Sequence, residues 1–197
     1  MALDREYLAA TEIIDWHDSN IVKLARQLRT LETETTAKSC FEWVRDNIYH
    51  SSDYKMNPVT CRASEVLKHK TGYCFAKSHL LAALLRANSI PTGFCYQRLS
   101  VFDDGAPYSL HGFNAVHLNK YGWYRLDARG NKPGVNARFD PPHEQLAFKI
   151  NLPEEVDCLQ IFPEPLPQVI HALQTYNNWQ ELLHNLPDIE PEQLLAI

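Results

Sequence analysis

The chain has 197 residues, 45% of them hydrophobic, a formal charge of −5 and five cysteines. That length supports one domain with a core able to stand without disulfides or metals, and an acidic balance with no basic cluster excludes nucleic acid and anionic membrane as expected partners. The cysteines (Cys40, Cys61, Cys74, Cys95, Cys158) are odd in number with no CxxC pair, which argues against a disulfide framework or a cysteine-rich zinc site and for a reducing, cytoplasmic setting.

At the N-terminus, Asp4, Arg5 and Glu6 stand where an export signal needs a basic start and an apolar run. Residues 4–30 read as helical, with Asp18 or Ser19 as N-cap before Ile21, Leu24, Ala25 and Leu28 on one face. A second helix is expected from Thr33, which would cap it, with Ala37, Cys40, Phe41, Val44 and Ile48 inward. Residues 49–61 show no period and contain Pro58, so a surface loop bordering a cleft is expected. A short helical piece from Ser64 then leads through Lys70, Thr71 and Gly72 into the central stretch.

That stretch, Cys74 to Ala87, reads as a buried helix with a cysteine in its first turn. Gly72 lets the backbone turn into it, and the uncapped N–H groups of the first turn favour a thiolate at Cys74. Its longest apolar run, Leu80 to Leu85, is too short to cross a bilayer. Asn88 is the expected left-handed stop before Pro91. Residues 92–101 read as a strand, 103–107 as a turn, and 111–118 with 123–127 as two antiparallel strands. Residues 128–141 read as ordered loop. A last helix is expected from Pro167, with Val169, Ile170, Leu173, Tyr176, Leu182 and Leu183 inward, and the acidic residues after Pro187 are expected to be loosely held.

A cysteine nucleophile needs a base and a group to orient that base. Side chains alternate along a strand, so His111 and Asp127 share a face only if the hairpin register has the right parity. The numbers of facing residues add to a constant, and placing His111 beside Asp127 requires 238, a hairpin centred on Asn119. The competing base, His117, would need a hairpin centred on Gly122, which would pull Trp123 into the turn; His111 is preferred. His79, five positions after Cys74, is turned away from the sulfur and reads as a capped or surface histidine. His50, His69, His143, His171 and His184 lack metal-ligand spacing, so no metal or cofactor is expected.

Gly72-Tyr73-Cys74, Leu85-Arg86-Ala87-Asn88-Ser89-Ile90-Pro91, His111-Gly112-Phe113, Tyr121-Gly122-Trp123 and Leu126-Asp127 occur in this order. In this the chain resembles the transglutaminase-like superfamily, in particular its single-domain bacterial members. It departs from the family pattern at Ser89, usually glycine, at Gly93, often arginine, at Phe113, usually tryptophan, and at Ala128, usually proline. The resemblance implies an α+β, papain-like fold in which a nucleophile helix packs on an antiparallel β-sheet, with N-terminal helices and a C-terminal helix. The chain is accordingly read as one domain over residues 1–197, with core motifs in 62–130, a helical part in 1–50 and an extension in 141–197.

The resemblance also implies Cys74 as nucleophile, His111 as base and Asp127 as the group that orients the imidazole. The expected reaction is attack on an amide or peptide carbonyl through a thioester, released by water in a hydrolase or by an amine in an acyltransferase or crosslinking enzyme. The expected partner is a peptide, protein or small amide. The family adds a side-chain oxyanion donor from the upstream segment; Tyr49 and Tyr54 are candidates, and Tyr73 is a cleft candidate beside the nucleophile. A binding module that kept the fold and lost turnover is the alternative of another class.

Overall fold

The computed structural model describes residues 5–196. A single 3-10 turn, Arg5–Leu8, precedes an irregular stretch, and the first α-helix, α1, spans Ser19–Leu28. The expected helix over 4–30 is therefore reduced to its second part, and Asp4 lies outside the described residues. The reason is local chemistry. Asp18 accepts hydrogen bonds from the N–H groups of Asn20 and Ile21, a side-chain cap that starts a helix there. Asp15 reaches away to the N–H and hydroxyl of Ser64 at 3.0 and 2.5 Å. Helix α2, Thr33–Asn47, buries Ala37, Cys40, Phe41 and Val44 as expected, but its N-cap is Glu32 with no side-chain bond, and Thr33 lies inside the first turn.

The segment expected as surface loop is partly ordered and buried. Strand β1, Tyr49–His50, pairs in parallel with β2, Thr71–Gly72, and a single turn α3, Ser51–Tyr54, follows it. Ser51, Thr60 and Cys61 are buried. Helix α4, Ala63–His69, then leads to β2 and into α5, Cys74–Ala87.

Nearly every side chain of α5 is buried, because α1, α2 and α4 cover one side and the sheet covers the other; a helix apolar on most of its circumference has to be enclosed in this way. It ends in a Schellman arrangement: Ser89 N–H donates to the Arg86 carbonyl and Ile90 N–H to the Leu85 carbonyl. The left-handed residue is Ser89 at φ 60°, and Asn88 stays at φ −95°, so the expected stop moves by one residue. Asn88 is occupied otherwise, donating through Nδ2 to the carbonyls of Ala25 and Leu84. Arg86 is buried, and its guanidinium donates to the carbonyls of Ala9, Thr92 and Pro163. One buried cation thereby ties the N-terminal segment, the first strand of the sheet and the chain beyond its last strand to the helix.

The sheet is antiparallel throughout. Its strands are β3, Thr92–Ser100, β4, Tyr108–Leu118, and β5, Gly122–Leu126. A small hairpin follows, of β6, Arg138–Asp140, within the stretch 128–141 expected as loop, and β7, His143–Gln145, just beyond it. Strand β8, Val156–Phe162, completes the order β5-β4-β3-β8 and lies in the C-terminal extension, where no strand was expected.

The expected last helix breaks in two. Helix α6, Pro167–Thr175, starts with proline as expected, Tyr176 turns extended, and α7, Trp179–Leu183, restarts under an Asn178 cap. The residues after Pro187 are held, contrary to expectation. Leu110 N–H donates to the Pro187 carbonyl, Asp188 accepts two bonds from the Arg98 guanidinium at 2.8 Å, and helix α8, Pro191–Ala196, buries Leu194. The architecture is α+β, with α5 between the helical layer and the antiparallel sheet. Among the described residues no helix is long and apolar enough to cross a membrane.

Candidate active site

Cys74 is the first residue of α5, and Tyr73 before it makes no side-chain cap. The first-turn N–H groups therefore have no side-chain acceptor at the sulfur end. Gly72 does not take the positive φ that a sharp turn would need. Its role is space: a Cβ there would lie 3.0 Å from the Ala76 Cβ and 3.2 Å from Thr60 Oγ1. Gly112 acts in the same way from the sheet side, because a Cβ would meet Phe75 Cδ1 at 2.7 Å. These two glycines let β2 and β4 close on the first turn of α5.

His111 Nε2 donates to Asp127 Oδ2 at 2.7 Å, and the Cys74 side chain is near enough to act on the charge of the imidazole. With Nε2 engaged, Nδ1 is the nitrogen left for sulfur. The ring is fixed by Phe113, stacked at 5.8 Å between centroids, and by Phe148, edge-on at 5.0 Å. Burial alone would lower the His111 pKa, but the charge of Asp127, the Cys74 side chain and the hydrogen bond to Asp127 outweigh it and raise it to about 10. Asp127 is buried, and besides His111 it accepts the N–H groups of Arg129 at 3.0 Å and Ala147 at 3.1 Å. Burial would raise its pKa, but the imidazole and these N–H groups hold it below the usual carboxylate range.

The hairpin register is not the one expected. Facing pairs such as Asn114–Leu126 and Ala115–Arg125 add to 240, a hairpin centred on Lys120. Because 240 is even, His111 and Asp127 keep a common face and bond diagonally instead of directly across.

The two tyrosines expected at the oxyanion and the one expected in the cleft are placed differently from each other. Tyr49 and Tyr54 are 46% and 59% exposed, lie ring against ring at 4.8 Å and do not line the cleft that holds Cys74. Tyr73 lines that cleft, but its hydroxyl donates to the Trp179 carbonyl at 2.6 Å. His50 and Ser52 reach the cleft from upstream, and His50 is a residue to which the sequence assigned no role. It pairs with Gly72 across the β1–β2 ladder, packs edge-on to Tyr73 at 5.4 Å and lines the cleft with Cys74 and His111. Strand alternation is the signal that would have found it: with Tyr49 outward, His50 points in. Burial, then the positive charge of Arg129, holds His50 well below its ordinary pKa, so the ring is neutral.

Asp53 organises the wall behind His50. It accepts both guanidinium nitrogens of Arg129, at 2.6 and 3.1 Å, and Lys132 Nζ at 2.7 Å, and it stands 3.8 Å from His50 Nδ1. His79, expected at the surface or a cap, is buried, and its Nδ1 bonds the Cys61 carbonyl at 2.7 Å. The cleft encloses about 1180 Å³, floored by β3 and β4 and walled by residues 143–152 and by Leu183 and Leu186. Among the described residues no group of three His, Cys, Asp or Glu side chains is placed to hold a metal.

Among curated proteins no sequence matches the chain. Solved structures do. A Cytophaga hutchinsonii protein named as a presumptive cysteine protease aligns with a TM-score of 0.51 and 19% identity over 65% of this chain and 43% of its own. The periplasmic domain of TgpA from Pseudomonas aeruginosa aligns with a TM-score of 0.47 and 17% identity over 64% of this chain and 48% of its own. The chain thus spans less than half the length of either, and the first likeness shows the fold alone. A family model described as the transglutaminase-like superfamily matches residues 22–128, more than half of the chain. On that match, and with a cysteine at the start of its central helix and a His–Asp pair on its hairpin, the chain belongs to the transglutaminase-like superfamily.

Proposed function

We propose that the protein is a cysteine-nucleophile enzyme that cleaves an amide or peptide carbonyl through a thioester on Cys74, with His111 as proton carrier and Asp127 as the group that orients it. The observation that carries this reading is the 2.7 Å His111–Asp127 bond in a cleft that His111 lines together with Cys74, the first residue of a helix. Family membership supports the general cysteine-enzyme kind. In the reaction the sulfur attacks the carbonyl carbon, and the electron pair of the carbonyl double bond moves to oxygen. In this reading the Cys74 N–H and a ring N–H of His50, which lines the same cleft, receive that charge. As the C–N bond breaks, the imidazolium of His111 gives its proton to the departing amine, leaving an acyl thioester. His111 then takes a proton from water, or from a second amine, as it attacks the thioester and frees the sulfur.

Asp127 holds the imidazole through Nε2, so that Nδ1 faces the reacting atoms, and stabilises the imidazolium form. The substrate class is a peptide, a protein or a small amide. The test is Cys74→Ala, which is expected to abolish both turnover and trapping of an acyl-enzyme by mass spectrometry. Turnover unchanged in that variant overturns the reading.

A further inference from the structure

Gln97 sits at the centre of β3 and is only 2% exposed. Its Oε1 is buried and accepts no hydrogen bond from any described residue. A buried carboxamide oxygen without a donor is costly, and native structures rarely leave one without a reason. The ring and guanidinium donors beside it are committed elsewhere. Across the sheet Gln97 faces His111 on one side and Asp157 on the other. His111 is held by Asp127, and Arg125, which crosses the same face, is held by Asp157 at 2.8 Å and Glu144 at 3.0 Å. Gln97 belongs to the wall of the cleft that also holds Cys74 and His111.

We propose that Gln97 is a specificity-determining group that accepts an N–H from the nitrogen side of the scissile amide, so that the site prefers amides bearing N–H over N,N-disubstituted amides and esters. The proposal rests on the reading of Cys74 as nucleophile. The leaving nitrogen has to lie beside His111 to receive its proton, and the residue directly facing His111 is Gln97. Facing residues carry their Cβ atoms about 5 Å apart, within reach of one bound amide. A substrate N–H supplies the donor the carboxamide lacks. An ester oxygen or a tertiary amide supplies none and leaves Oε1 buried and unpaired.

The experiment uses the full chain and two reagents that differ only in this donor, chloroacetamide and N,N-dimethylchloroacetamide. In each the Cys74 sulfur displaces chloride and forms an S–C bond with the amide beside it. Rate constants for Cys74 are read by peptide mass spectrometry and divided by those for free cysteine. The wild type is expected to favour chloroacetamide about tenfold beyond the free-thiol ratio, the size of one hydrogen bond. In Gln97→Met, with Gln97→Leu as a second variant in case the first does not fold, that ratio is expected to fall to the free-thiol value while the dimethyl reagent reacts as before. A wild-type ratio equal to that of free cysteine overturns the proposal. So does a variant that keeps the ratio, or one that slows both reagents alike. If Cys74 is labelled no faster than Cys61, the reading of Cys74 as nucleophile fails, and the proposal with it.

Discussion

His111 and Asp127 bond diagonally across the β4–β5 hairpin. Facing pairs there add to 240, so the register carried one residue further places Asp127 opposite Phe113, and the 2.7 Å bond to His111 crosses to the next pair along β4. Phe113 therefore fills the position directly across from the carboxylate and stacks on the imidazole from below. The parity of the hairpin decides whether imidazole and carboxylate share a face, and its exact centre decides which aromatic side chain supports them.

Asp127→Asn keeps the size of the orienting group and removes its charge. Turnover is expected to fall by about a hundredfold or more. The alkaline limb governed by His111 moves from near pH 10 toward neutrality, visible in the pH dependence of Cys74 alkylation. The stability signature has a defined sign. The raised His111 contributes stability that is complete below the ordinary imidazole range and is lost as pH rises through its folded value. The depressed Asp127 contributes stability that is present above the ordinary carboxylate range and is lost as pH falls. The melting difference between wild type and Asp127→Asn is thus widest between those ranges, at about pH 5–6, and narrows on both sides.

His50→Ala is expected to lower kcat by roughly a hundredfold with little change in KM, the behaviour of a donor used mainly in the transition state. Tyr49→Phe and Tyr54→Phe are expected to stay within about twofold of wild type, because their rings lie outside the cleft. Tyr73→Phe loses its bond to the Trp179 carbonyl and is expected to cost about 1 kcal/mol of stability while Cys74 remains reactive. Steady-state kinetics with urea denaturation separates these outcomes.

What was legible in the sequence follows from which signals are local. Helix α5, the β3–β4–β5 meander and the facing of His111 and Asp127 rest on periodicity and on parity, which a single chain displays. The hairpin centre escaped by one residue because Asn119 and Lys120 offer the same composition of turn. Strand β8 escaped because its alternation is broken: Asp157 shares the face of Gln97 and finds its partner in Arg125, and Leu159 points outward. His50 was hidden by the brevity of β1: the alternation that turns it inward runs over two residues only, and their pairing with β2 is set by tertiary contact. Arg86 looked like an ordinary charged residue near a helix end, yet it is enclosed and satisfied by carbonyls from two distant segments and from Thr92 just beyond the helix.

Ser89 occupies the left-handed position of the Schellman turn that ends α5, at φ 60°. A residue with a Cβ is strained there by about 1–2 kcal/mol, partly offset by the greater freedom glycine gains on unfolding. Ser89→Gly is therefore expected to raise stability by up to about 1 kcal/mol and to leave Cys74 alkylation unchanged. Thermal denaturation checks the first part and labelling the second. A loss of stability would show that the serine side chain contributes more than its backbone strain costs.

Asp53 joins α3 to the loop that follows Asp127, through Arg129 and Lys132, while standing beside His50. Burial alone would raise its pKa, but the Arg129 and Lys132 hydrogen bonds hold it well below the usual carboxylate range. A carboxylate depressed in the folded state contributes stability that is present above its ordinary value and is lost as pH falls through its folded value. Asp53→Asn is therefore expected to cost about 1–3 kcal/mol at neutral pH, a gap that narrows progressively below about pH 4. It is also expected to lower kcat, because His50 loses the neighbour that fixes its Nδ1 side and Arg129 loses its anchor. Urea denaturation of both proteins from neutral to acid pH tests the sign. A gap of constant size down to pH 3 would mean that Asp53 acts through shape and packing, and the electrostatic account of this wall of the cleft would have to be abandoned.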